Sequence, residues 1–138
     1  MAEGMVLEVL TPERSVLREE VRSVVVPGAC GYLGVLRRHA PMVVKLRAGV
    51  VKYRPAGREA GGPFERLAVS GGFLEVSQDR VLVLAPAAEL AKDIDVMRAR
   101  AARDRARARL RSREAGIDTA RAQAALERAL ARLLAARE

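Results

Sequence analysis

The fold is decided between residues 80 and 104, where the chain reads RVLVLAPAAELAKDIDVMRARAARD. Sixteen of the 17 valines, ten of the 11 glycines and all six prolines precede residue 88, whereas residues 89–138 contain 15 alanines. Valine favours strands because its branched side chain packs well on a pleated sheet, while alanine and arginine favour helices. The composition therefore predicts a β unit over residues 1–86 and a helical unit over residues 87–138.

The β unit consists of short apolar segments separated by turn residues. These segments predict strands at residues 5–10, 21–26, 32–36, 43–46, 49–53, 64–69, 72–76 and 80–84. No helical stretch long enough to connect parallel strands lies between them, so a parallel sheet is not expected. Many short strands at close spacing predict an antiparallel sandwich or barrel.

The helical unit divides into two amphipathic segments around Gly116. Gly116 is suited to end one helix, and Asp118 or Thr119 is suited to cap the next. The predicted apolar stripes contain Leu90, Ile94, Met97, Ala101 and Ala108 on the first helix, and Ala122, Leu126, Ala129, Leu130 and Leu133 on the second. An antiparallel hairpin follows, which makes the predicted fold class α+β. Because alanine buries little surface, we expect this hairpin to be held weakly and to open.

The charge distribution points to an acidic partner. The chain carries a net charge of +8, of which +5 comes from residues 89–138. Nucleic acid, anionic lipid, a nucleotide and an acidic protein surface all fit such an excess. The longest run without charge covers residues 23–36, too short for a membrane-spanning helix of about 20 residues. The first residues carry no signal-peptide pattern.

No residues combine into a catalytic or metal-binding constellation. The chain has one cysteine, Cys30, and one histidine, His39, which argues against an internal disulfide and against a zinc site. The glycine-rich residues 28–34 lack the Gly-Lys-Ser/Thr ending of a phosphate loop. Ser70 precedes two glycines but lacks the strand-to-helix turn of a nucleophile elbow. We therefore expect neither autonomous catalysis nor a required cofactor or metal.

Two arginine trios in the helical unit share one spacing. They contain Arg98, Arg105 and Arg109 on the first helix and Arg121, Arg128 and Arg132 on the second, separated by seven and then four residues. Each trio falls within about 40° of one helix face. If the stripes face each other, a bound anion would relieve their repulsion and accept several guanidinium hydrogen bonds. Glu89 and Asp95 are suited to accept from a ribose or a base, which predicts a nucleotide site in the closed hairpin.

Two other interpretations of the arginines remain open. A solvated basic face requires no ligand, and charge patterns are weak signals. A small basic nucleic-acid-binding protein would show affinity that falls steeply with salt. The acidic residues spaced through the tail and the aromatic content of 3% argue against the nucleic-acid interpretation.

Four stretches in order resemble the epsilon subunit of the bacterial F-type ATP synthase. They are residues 11–13 (TPE), 31–41 (GYLGVLRRHAP), 70–76 (SGGFLEV) and 94–99 (IDVMRA). The resemblance extends over essentially the whole chain. It implies an N-terminal β-sandwich and a C-terminal helical hairpin, the same architecture that composition and periodicity predict.

The resemblance implies a non-catalytic subunit of the rotating central stalk of a proton-translocating ATP synthase. Such a subunit is peripheral, on the cytoplasmic face of the bacterial cell membrane. Its β domain docks on the gamma subunit and the c-ring. Its tail folds on the sandwich or extends along gamma, where it meets the beta subunit and inhibits ATP hydrolysis. No nucleic acid is expected as a partner.

The resemblance also implies ATP as a regulatory ligand of the folded hairpin. Some family members bind ATP through an Ile/Leu-Asp-x-x-Arg-Ala motif, which residues 94–99 match. Carried over to this sequence, the implied contacts are Glu89, Ile94, Asp95, Arg98, Ala99, Arg105, Arg109, Arg121, Arg128 and Arg132. An epsilon subunit that does not bind nucleotide is the alternative.

The region expected to contact the c-ring contains Gly31, Tyr32 and His39. The family often has Pro-Gly before the histidine, where this chain has Arg37 and Arg38. A turn with Pro-Gly is stiffer than a turn with two arginines. Tyr32 also departs from the charged residue that other members carry in this region.

Overall fold

The computed structural model describes residues 4–57, 61–112 and 114–137, and it confirms the predicted α+β architecture. The elements are β1 (Met5–Leu10), β2 (Ser15–Gly28), β3 (Gly31–Leu36), β4 (Met42–Pro55), β5 (Glu65–Ser77), β6 (Arg80–Leu84), β7 (Ala88–Leu90), a 3-10 turn (Ala91–Asp93), α1 (Val96–Arg111) and α2 (Thr119–Ala136). In the described ranges, no helix is long and apolar enough to cross a membrane. Fewer and longer strands form than predicted, because β4 and β5 each join two predicted segments.

The strands form one sheet in the order β1-β6-β5-β4-β2-β3, and β1 also pairs with β2. The short β7 pairs with β5, so the sheet continues past Pro86. All pairings are antiparallel except that of β1 with β6. This parallel pair needs no crossover helix, because four intervening strands connect β1 to β6. The predicted antiparallel sandwich or barrel is confirmed, and β1 with β6 is its one parallel pair among the described strands.

Two glycines let β5 bend from one layer of the sandwich into the other. Gly71 and Gly72 have φ of +112° and +118°, a region that favours glycine. A Cβ on Gly72 would collide with the carbonyl oxygen of Leu84. Opposite this bend, the pairing of β4 with β5 passes from Leu46 to Ala48 and omits Arg47. The two halves of each long strand therefore lie in different layers.

The main core fills the space between the layers. Val9, Val24, Leu67, Leu74 and Val83 are among its fully enclosed side chains. Along β1, Met5, Leu7 and Val9 alternate inward as predicted. None of the residues of this core lies in α1 or α2, so the sandwich has a core of its own.

A smaller cluster seats the hairpin on the outer face of β4 and β5. It joins Val50 and Ala68 of the sheet to Ala131 and Ala135 of α2, with Ile94 between them. Helix α2 packs on both β4 and β5, whereas α1 packs chiefly on α2. The structure therefore has the hairpin in its folded position.

Two aspartates begin the helices of the hairpin. Asp95 Oδ1 accepts from the Arg98 amide at 3.1 Å, and Asp118 Oδ1 accepts from the Arg121 amide at 3.0 Å. Gly116 adopts φ of +93° between the helices. The predicted break and the cap at Asp118 are thus confirmed.

The predicted apolar stripe of the first helix was wrong. Met97 is 71% exposed, and Ala101 and Ala108 face solvent. The stripe was counted from Leu90, but the helix begins only at Val96, and the residues that α1 buries are Ala99 and Ala106. On α2 the stripe was largely right, because Ala122 and Ala129 are buried, although Leu130 is exposed.

Candidate functional site

The fully buried residues between the two helices are alanines. Ala99 and Ala106 of α1 are buried against α2, whose Ala122 and Ala129 are buried in turn. The two helices run antiparallel, since residues near the start of α1 and the end of α2 line one cavity. The arginine stripes lie outside this interface, so they do not face each other directly across it.

Both stripes nevertheless lie on one side of the hairpin. Arg98 and Arg105 each precede a buried alanine of α1, and Arg121 and Arg128 each precede a buried alanine of α2. One residue turns a helix by about 100°, so each stripe is offset from the interface by the same angle in the same sense. The two-fold axis that relates antiparallel helices lies perpendicular to their common plane. Equal offsets therefore put both stripes on the same side of that plane.

The opposite side of the hairpin confirms this geometry. Arg100 and Leu130 each follow a buried alanine, and both line a cavity of about 490 Å³ between the helices. Residues with the opposite offset therefore share the opposite side. The hairpin thus has one side with the two predicted trios and another lined partly by leucine.

A second cavity lies where the side of the trios meets the sheet. It has a volume of about 220 Å³ and is lined by Ala68, Val69, Ser70, Ala87, Ala88, Glu89, Arg128 and Arg132. Its wall is held by Ser70, whose Oγ accepts from the Ala87 amide at 2.9 Å. The cavity brings together three predicted site residues, Glu89, Arg128 and Arg132, from β7 and α2.

An ion pair joins the sheet to the hairpin at this cavity. Arg132 Nε donates to Glu89 Oε1 at 2.5 Å, and both side chains are about two-thirds buried, with exposures of 28% and 32%. Glu89 is held on β7, which pairs with β5, so this carboxylate belongs to the sandwich rather than to the hairpin. The sequence suggested an acceptor at Glu89 but not this partner.

The other predicted residues of the ATP site have structural roles or face solvent. Ile94 is part of the cluster that seats α2, Asp95 caps α1, and Ala99 is fully buried between the helices. The remaining predicted arginines, all exposed, are Arg98, Arg105, Arg109 and Arg121. A ligand that contacted Glu89 and all six arginines would have to extend from the cavity along the arginine side of the hairpin, whereas the buried Ala99 side chain lies out of its reach.

The structure separates the residues expected to contact the c-ring. Gly31 and Tyr32 begin β3, and His39 follows its end, so a strand of about 17 Å lies between them. The Tyr32 hydroxyl accepts from the Val50 amide at 3.4 Å, and the Arg47 guanidinium lies 5.6 Å from the ring centroid. These residues do not form one compact patch.

The His39 loop is braced by a residue that the sequence analysis missed. Asp79 Oδ1 accepts from the Arg38 amide at 2.6 Å, across 41 residues of sequence. Within the described part of the chain, the non-glycine residues with positive φ are Arg38, Gln78 and Asp79, at 66°, 47° and 58°. Strained backbone thus concentrates where the β3–β4 loop meets the β5–β6 turn.

An apolar strip is exposed on the outer face of the other layer. Phe73 and Leu84 are directly opposite each other on β5 and β6, and Val43 lies diagonally across on β4. Their exposed fractions are 53%, 43% and 71%. Large exposed apolar side chains that are contiguous mark contact surfaces more often than isolated ones do.

Two family models together match nearly the whole chain. The model for the beta-sandwich domain of the ATP synthase Delta/Epsilon chain matches residues 4–91. The model for the long alpha-helix domain of the same chain matches residues 92–137. The junction of the models thus falls within the 3-10 turn that separates β7 from α1.

Curated relatives and solved structures agree with these matches. The ATP synthase epsilon chain of Symbiobacterium thermophilum is 55% identical over 114 residues, which cover 82% of this chain and 78% of the relative. That of Moorella thermoacetica is 56% identical over 111 residues, 80% of each chain. A chain in the structure of the Euglena gracilis mitochondrial ATP synthase, with OSCP, F1 and c-ring, superimposes with a TM-score of 0.80. It is 25% identical, and the match covers 98% of this chain and 82% of that chain.

Proposed function

Because the chain belongs to the family of ATP synthase epsilon chains, we propose that it is the rotor epsilon subunit of a proton-translocating F-type ATP synthase. It couples the catalytic head to the membrane ring and catalyses no reaction itself. It is peripheral, attached through the complex to the cytoplasmic face of the bacterial cell membrane. The family models and the relatives that share over half of their aligned residues support this proposal.

The sandwich is the docking unit in this proposal. The strip of Val43, Phe73 and Leu84 suits the gamma subunit, because apolar contact with a partner would bury side chains that now face solvent. The loop at His39 suits the polar surface of the c-ring, since its two arginines are exposed next to it. Gly31 and Tyr32, at the other end of β3, form a separate part of the contact region.

The hairpin is the regulatory arm. Its seat on the sheet consists mainly of Ala131, Ala135 and Ile94, so little apolar area has to be exposed for the arm to leave. The core of the sandwich lies in a separate cluster and stays intact when the arm moves. The extended arm reaches the beta subunit and inhibits ATP hydrolysis, whereas the folded arm does not inhibit.

ATP stabilises the folded arm. The main support for ATP binding is that both arginine trios lie on the same side of the hairpin. This side borders the cavity that is lined by Arg128 and Arg132. The folded arrangement brings α2 and the sheet together at this cavity and keeps the arginines of α1 on the same side of the hairpin, so ATP binds this state more tightly. At 100 times its dissociation constant, ATP would favour the folded arm by about 2.7 kcal/mol.

Calorimetric titration of the chain with ATP and ADP tests the nucleotide claim. Arg128→Gln should weaken ATP binding by about 1.5–3 kcal/mol, because it removes a charged donor from the phosphates. Arg100→Gln is the matched control, since Arg100 lies on the opposite side of the hairpin and should leave ATP affinity unchanged. If millimolar ATP produces neither heat nor a thermal shift, the chain is an epsilon subunit whose arm is controlled without nucleotide.

A further inference from the structure

The cavity between sheet and hairpin contains an acidic side chain beside its cations. Of its described lining residues, Arg128 and Arg132 are cationic and Glu89 is the one carboxylate. Glu89 bonds Arg132 Nε at 2.5 Å in the folded arm. The guanidinium on which a phosphate site would depend is therefore already engaged by an anion of the protein.

We propose that Glu89 takes the place of a phosphate group on Arg132. Without ligand, this ion pair latches the folded arm, and when phosphate is present, Glu89 competes with it for Arg132. This inference rests on the proposed function, because it concerns how the same phosphate-binding cavity is regulated. Carboxylate and phosphate oxygens both accept from the planar guanidinium fork, so they are alternative partners of one side chain. A phosphate beside Glu89 would also place like charges together in a partly buried site.

The latch links β7, which belongs to the sheet, to α2, which belongs to the hairpin. Glu89 is fixed by the pairing of β7 with β5, and Arg132 lies on the helix that leaves the sheet when the arm extends. When phosphate takes Arg132, it replaces one bond between sheet and hairpin with its own bonds to both arginines. Glu89 is then released at the edge of the cavity, where it is free to accept from a ribose or a base.

Inorganic tripolyphosphate is the probe for the competition, because it has no base for Glu89 to contact. Glu89→Gln should bind it about three- to tenfold more tightly than the wild-type chain in calorimetric titration, as the loss of one partly exposed ion pair suggests. Glu127→Gln is the matched control. It makes the same change of charge on an exposed residue of α2, whose partner is Gln123, and should bind like wild type.

Hydrogen exchange without ligand measures the latch separately. The amides of α2 should exchange several-fold faster in Glu89→Gln than in Glu127→Gln, while the alanine seat keeps most molecules folded. Hydrogen exchange also gives the fraction of molecules in which the arm is folded. Multiplying each apparent dissociation constant by this fraction gives the dissociation constant of the folded arm. Faster exchange together with tighter corrected binding supports the proposal.

Two outcomes overturn the inference in different ways. If all three proteins bind tripolyphosphate with the same corrected affinity, the site exists but Glu89 does not compete for it. If none binds tripolyphosphate or ATP, the nucleotide site itself is wrong and the competition falls with it. Exchange of α2 that is equal in both variants contradicts the latch, whatever the binding result.

Discussion

Single residues set the geometry at the points where sequence pattern is least informative. Gly72 is required because a side chain there would meet the backbone at Leu84. Asp79 is the reverse case, a residue with a side chain at a positive φ that glycine would adopt more easily. Its carboxylate bonds the Arg38 amide, which indicates that the strain is retained in order to position the loop before His39.

Replacing Asp79 separates turn strain from loop positioning. Asp79→Gly should relax the turn yet expose the Arg38 amide, which should then exchange hydrogen about three- to tenfold faster. Asp79→Asn tolerates the same backbone and keeps an acceptor oxygen, so most of the protection should remain. Exchange measured by NMR gives both values. Unchanged protection of Arg38 in Asp79→Gly would contradict a positioning role.

At the scale of elements, caps and small side chains determine how firmly the hairpin is held. Helix α2 has alanines on both faces, toward α1 and toward the sheet, so the backbones approach closely while each contact buries little area. Its start is defined by Asp118, whose side chain satisfies an amide that the helix itself leaves unpaired. Helix formation and seating of the arm are therefore coupled.

Removal of this cap should loosen the arm. Asp118→Ala should destabilise α2 by about 1 kcal/mol, because the Arg121 amide loses its acceptor. Thr119→Ala changes the neighbouring exposed residue and should have a smaller effect. Hydrogen exchange across α2 measures the opening, and equal exchange in the two variants would argue against Asp118 as the determinant.

At the scale of the whole molecule, the chain consists of two units that we expect to differ in stability. The sandwich encloses large side chains between its layers, while the hairpin buries mainly alanines, both between its helices and on the sheet. Most of the net positive charge also lies in the hairpin, where arginines repel one another more than in the sandwich. We therefore expect the sandwich to be the more stable unit and the hairpin the less stable one.

A truncated chain tests this division. A fragment of residues 1–93, which keeps β7, should fold into the sandwich and unfold cooperatively, only a few degrees below the full chain. Circular dichroism should report the loss of helix with the strand signal retained. A fragment without a cooperative thermal transition would mean that the hairpin is part of the folding unit.

How much of this was predictable depended on the range of the interactions involved. The strands at residues 5–10 and 80–84, the hairpin break at Gly116 and the cap at Asp118 follow from local preferences, and the structure has them as predicted. The family was recognised from four short stretches. The first apolar stripe failed because periodicity was counted through residues that are not helical.

The sequence by itself determined the two units, their order, the arginine spacing and the family, since these depend on composition and on residues close together in the chain. Tertiary structure alone decided the parallel pairing of β1 with β6, the bond of Asp79 to the Arg38 amide and the pairing of Glu89 with Arg132. Each of these joins residues at least 40 positions apart. Such contacts exist because the sheet closes and the hairpin folds onto it, and no local propensity encodes them.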